Sequence, residues 1–94
     1  MLKINHDTNG TGGAAVLRLE GQVAGKWVQE LRQAYGESRR VNRSLTFDLK
    51  DVTFIDAAGL AFFDEVWSDI TVVNCSLFAA EQLKNVMVRQ SKVR

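Results

Sequence analysis

Leu45-Thr46-Phe47-Asp48-Leu49-Lys50-Asp51-Val52-Thr53-Phe54-Ile55-Asp56-Ala57-Ala58-Gly59-Leu60 is the stretch on which the reading of this chain turns. Leu45, Phe47 and Leu49 alternate with Thr46 and Asp48, the period-two pattern of a strand with one apolar face. Lys50-Asp51 reads as a turn, and Val52 to Ile55 as a short apolar extension. Asp56 then stands directly before a helical pattern, where its carboxylate can accept a backbone N–H as an N-cap. In that helix Leu60, Phe63 and Trp67 line one face, with Val66 flanking. Phe62 falls about 100° or more off that line. Two readings of it stay open: a part-exposed aromatic that anchors a partner, or a flank residue covered by the last helix.

Working outward, Leu2 to Asn5 is a weak strand and Ala14 to Leu19 a second one, ended by Glu20-Gly21. Asn9-Gly10 and Gly12-Gly13 between them accept positive φ cheaply, so the pair is predicted to be a hairpin. From about Gly25 to Gly36 an amphipathic helix is predicted, with Trp27, Val28, Leu31, Ala34 and Tyr35 on one face and Gly36 as terminator. A polar connector, Glu37 to Ser44, follows. After the central stretch, Ile70 to Cys75 reads as a buried strand. Ser76 can cap a last helix whose inner face carries Ala79, Ala80, Leu83, Val86 and Met87. The order β-β-α-β-α-β-α implies parallel neighbours with right-handed crossovers everywhere except the first hairpin. The expected fold class is therefore an α/β sandwich: a mixed four-stranded sheet with helices packed on it.

The chain has 94 residues, of which 46% are hydrophobic and 24% charged, so a single domain spanning residues 1–94 with its own core is expected. A formal net charge of +1 provides no strong field for nucleic acid or anionic membrane. Arg89, Lys92 and Arg94 near the end read as a solvated tail. Met1 to Asp7 has no apolar run of signal-peptide length, and no window is long and apolar enough to span a bilayer. With the single Cys75 unable to form an internal disulfide, a cytoplasmic location is expected.

The central stretch resembles the signature of the STAS family, which includes bacterial anti-sigma factor antagonists and the cytoplasmic domains of sulfate transporters. That pattern is an apolar strand ending in Asp-Leu, an apolar step, then Asp-Ser-Ser-Gly-Leu or a close variant. Leu17 to Val23 is similar to the family's second strand and glycine turn, and Ile70 to Ser76 to its last strand. The resemblance implies a STAS-like sandwich without catalysis or cofactor. It also implies a protein partner, an anti-sigma factor or serine-kinase-like regulator, docking where the second helix begins. The residues implied for that contact are Val23, Ala24, Asp56, Ala57, Ala58, Gly59 and Leu60, to which the off-line position of Phe62 on the helix adds an eighth candidate.

Three departures stand out. The family's phosphoacceptor serine lies in the Ser-Ser pair, which here is Ala57-Ala58, so Ala58 takes its place without a hydroxyl. Ala24 stands where an acidic residue is common, and the second helix with its following loop looks several residues shorter. A phosphate at that first turn would bring about −1.5 to −2 charges to an interface. With Ala58 the module is expected to be unswitched there. The small side chains either admit a close partner or simply suit a crowded first turn.

A different functional class also fits. Unpaired N–H groups and a positive dipole end make the second helix's start a possible seat for a nucleotide or small anion in a sensor or scaffold module. Enzyme readings fare worse. Asp48, Asp51 and Asp56 lack the acidic pair after the first strand and the late lysine that a receiver needs, and are assigned strand-end, turn and cap roles. Asn9 to Gly13 lacks the Gly-Lys-Ser/Thr ending of a phosphate loop. His6 is the only histidine, too little for a His-based metal site or a triad, and Cys75 reads as a packed thiol.

Overall fold

The computed structural model describes residues 2–8 and 14–92. The hairpin turn expected at Asn9 to Gly13, and Arg94 of the basic tail, lie outside them. Four strands form one sheet in the order β1-β2-β3-β4: β1 is Leu2–Thr8, β2 Ala14–Val23, β3 Ser44–Ile55 and β4 Thr71–Val73. β1 and β2 are antiparallel, while β2–β3 and β3–β4 are parallel, as the element order required.

One sheet face is apolar. Ala15, Leu17, Leu19, Leu45, Phe47 and Leu49 point into the core with Val28 and Leu31 of α1 (Trp27–Val41) and Phe62, Phe63 and Val66 of α2 (Ala57–Val66). Two short helices, α3 (Leu77–Gln82) and α4 (Lys84–Lys92), add Ala79 and Val86, and Leu83 between them is buried too. The four rings of Tyr35, Phe47, Phe62 and Phe63 meet in edge and stacked contacts with centroids 5.3–6.3 Å apart. The other sheet face carries Lys3, Asn5, Arg18, Glu20, Asp48 and Lys50, tied by Asn5 to Glu20 at 3.1 Å and Arg18 to Asp7 at 3.0 Å.

Several expected boundaries move. β3 runs without a turn through Lys50-Asp51, and β2 runs on through Gly21 to Val23. Opposite Arg18–Val23, β3 uses two more residues, so register shifts fall between Arg18 and Glu20 and between Gly21 and Gln22. Such bulges reset which side faces inward: after Leu49 the buried positions are Val52 and Ile55, and Phe54 is turned out. α1 passes through Gly36 to Val41 instead of stopping there. Ser38, an inner-face position held by a polar residue, interrupts the apolar period that would have announced the last turns. Asn42 closes the helix by donating both its backbone N–H (3.0 Å) and Nδ2 (2.9 Å) to the Ser38 carbonyl. β4 is a three-residue edge strand with Thr71 and Val73 exposed, not a buried strand over Ile70–Cys75, because only Thr46–Asp48 of β3 pair with it. The last helix is two segments broken at Leu83, and Met87 is exposed.

Candidate functional site

Asp56 holds the start of α2. Its Oδ1 accepts from the Gly59 N–H at 2.9 Å, closing the N-cap the sequence called for. Its Oδ2 accepts from the Gly25 N–H at 2.9 Å, and its own N–H donates to the Val23 carbonyl at 3.2 Å. One carboxylate thus joins the β2–α1 connection to the first turn of α2. Gly25 has φ +56°, a left-handed conformation that glycine adopts without a Cβ penalty, and this places its N–H in the connection facing Asp56. The Gly59 N–H foremost, then the Gly25 N–H, hold the Asp56 carboxyl below its usual value.

Gly59 is required by space. A Cβ there would lie 2.5 Å from the Val23 carbonyl oxygen and 2.9 Å from Ile55 Cγ2. The absence of a side chain lets α2 sit down on the ends of β2 and β3. From α1, the Arg32 guanidinium grips Glu65 of α2 with two bonds, at 2.7 and 3.0 Å, and lies 5.4 Å from the Phe62 ring centroid. This surface pair links the two helices, and the Gly25–Asp56 bond brings the β2–α1 connection and the start of α2 to one end of the molecule.

Of the residues implied for partner contact, Ala57 and Ala58 are exposed, and Ala24, Asp56 and Leu60 are half-buried. Val23, Gly59 and Phe62 are not accessible. Phe62 is 1% exposed, so the anchor reading is corrected. α2 turns Gly59, Phe62, Phe63 and Val66 inward, a face rotated from the expected Leu60–Phe63–Trp67 line because Gly59, not Leu60, makes the close approach to the sheet. Val23 and Gly59 shape the site from beneath.

An apolar rim beside this turn escaped the sequence reading. Phe54, two residues before Asp56, is 41% exposed and stacks on Phe78 of α3, itself 45% exposed, at 6.3 Å; the adjacent Leu77 is 92% exposed. The only signal was the interval from Leu49 to Val52 to Ile55, which leaves Phe54 on the other side.

The remaining candidates are dispersed. Asp48 lies within β3, not at a strand end, and accepts from the Lys50 N–H at 3.1 Å and Asn74 Nδ2 at 3.3 Å. Asp51 and His6 are exposed. Burial raises the pKa of the half-buried Cys75 thiol, which leaves it a poor nucleophile. Among the described residues, no group of three or more His, Cys, Asp or Glu could hold a metal ion, and no helix is long and apolar enough to cross a membrane.

Fold and site together define a class: a small mixed α/β sandwich whose second helix opens on a carboxylate clamp and turns small side chains outward. Residues 5–88 match the family model of the STAS domain, and the chain belongs to the STAS domain family. Its fold is similar to that of the anti-sigma factor antagonist SpoIIAA in its unphosphorylated form, with a TM-score of 0.67 and 14% identity over 98% of this chain and 99% of that one. No curated protein sequence matches the chain.

Proposed function

We propose that this chain, as a single STAS domain, is a non-catalytic regulatory module that docks a protein partner at the start of α2. The partner resembles an anti-sigma factor or serine-kinase-like regulator, by analogy with the antagonist whose fold it shares. The observation that carries this reading is the exposed Ala57-Ala58 turn, held by Asp56 and preceded three residues upstream by Phe54 of the exposed Phe54–Phe78 pair. A preorganised turn beside exposed aromatics suits an interface, since little is lost in ordering it on binding. Without a hydroxyl at Ala57 or Ala58 the contact is not switched by phosphate at that turn, and the module stays competent to bind.

The anion-binding alternative has less support. The Asp56 carboxylate already accepts from the Gly59 and Gly25 N–H groups that an anion would need, and its charge repels one.

Affinity capture from the native cell, with the wild-type chain and Ala58→Glu as baits, tests the proposal. A partner of the anti-sigma or serine-kinase type should be retained by the wild type and lost with the folded variant. Equal capture by both would refute docking at this turn.

A further inference from the structure

We propose that the end of α1 opposite the Asp56 clamp is a second interaction surface, built for an acidic, partly apolar segment of a protein. Arg39, Arg40 and Arg43 surround Val41, which is 75% exposed, and with Asn42 they line an open recess of about 390 Å³. A neighbouring recess of about 250 Å³, lined by His6, Ala15, Glu37, Ser38, Val41 and Asn42, continues past the same valine.

The charge here runs against the rest of the chain. Twelve basic and eleven acidic residues make the whole +1; without these three arginines, nine basic residues face eleven acidic ones. A helix C-terminus favours cations, and that accounts for Arg39, whose guanidinium donates to the Arg43 carbonyl at 3.0 Å. Arg40, in the same last turn, is favoured there too, but neither Arg40 nor Arg43, which lies beyond the helix, makes an ion pair among the described residues. The helix end does not account for Arg43 or for an exposed valine between them. Glu37 is the one acid lining these recesses, and no ion pair joins it to an arginine.

An exposed valine among arginines matches the make-up of a protein interface, where a dry centre is bordered by charge and arginine is enriched. Nucleic acid would bind chiefly through phosphate contacts to the arginines, for which an exposed valine adds little. α1 has 15 residues, about 22 Å at 1.5 Å per residue, so this surface and the start of α2 are far enough apart to be occupied together.

The test is a titration of the ¹⁵N-labelled full chain with a short peptide of alternating Glu and Leu, following amide shifts. Shifts should centre on residues 37–44 and leave 56–61 unmoved. The double variant R40Q/R43Q, with an unchanged thermal midpoint, should weaken binding about tenfold, as should about 0.5 M salt, while R40K/R43K retains it. Absence of shifts at 37–44, undiminished binding by R40Q/R43Q, or tighter binding of a single-stranded oligonucleotide at the same residues would overturn the proposal. None of these outcomes bears on docking at Ala57-Ala58.

Discussion

At Gly59 the chain has no room for one more carbon. The atoms that would meet it are a backbone carbonyl and the branched side chains of Val23 and Ile55, all fixed in the core. Gly59→Ala should therefore lift α2 off the sheet and cost about 1–3 kcal/mol, read as a lower urea midpoint. Asp56 sets a pH dependence. Its folded-state pKa lies below the ordinary 3.8, so the stability it contributes is fully present above that value and is lost as pH falls through the folded one. Urea stability should decline below about pH 4, and Asp56→Asn should flatten that part of the curve. At neutral pH the same variant should cost about 1–2 kcal/mol, because an amide turns a donor towards one of the two N–H groups. The cap was legible in sequence, since an Asp ahead of a helical pattern has few other uses. The second bond, to Gly25, was not, because nothing local relates residues 31 positions apart.

At the scale of elements, α1 offers a clean test of helix propensity. Gly36 lies mid-helix and exposed, and a Cβ there meets nothing within 4 Å. Gly36→Ala should stabilise the fold by about 0.5–1 kcal/mol in urea melts. Phe62 behaves oppositely: buried among Tyr35, Phe47 and Phe63, it should cost about 3–5 kcal/mol when cut to Ala, and Phe62→Asp should unfold the chain. Near-ultraviolet circular dichroism checks both. Element type and order were readable because each segment's period was clear in its middle. Ends and faces were not. Ser38 hid the last turns of α1, and two bulges in β3 turned Phe54 outward where plain apolar content suggested burial. The site residues divided accordingly: Ala57 and Ala58 are exposed, while Val23, assigned from family position, and Phe62, singled out by its angle off the expected helix line, serve the core.

Across the whole molecule, helices cover one sheet face, a charged face stays open, and the Asp56 clamp and the arginine cluster stand at the two ends of α1. The STAS fold supplies a platform; what it recognises depends on what is presented at these places. The central claim is that the first turn of α2 is the docking surface, and amide hydrogen exchange of the chain with and without its captured partner addresses it residue by residue. Added protection should appear at Ala24–Gly25, Phe54 and Ala57–Ala61, with exchange on the charged sheet face around Arg18 and Asp48 unchanged. Protection confined to that sheet face, with the α2 turn exchanging as fast as in the free chain, would contradict the claim.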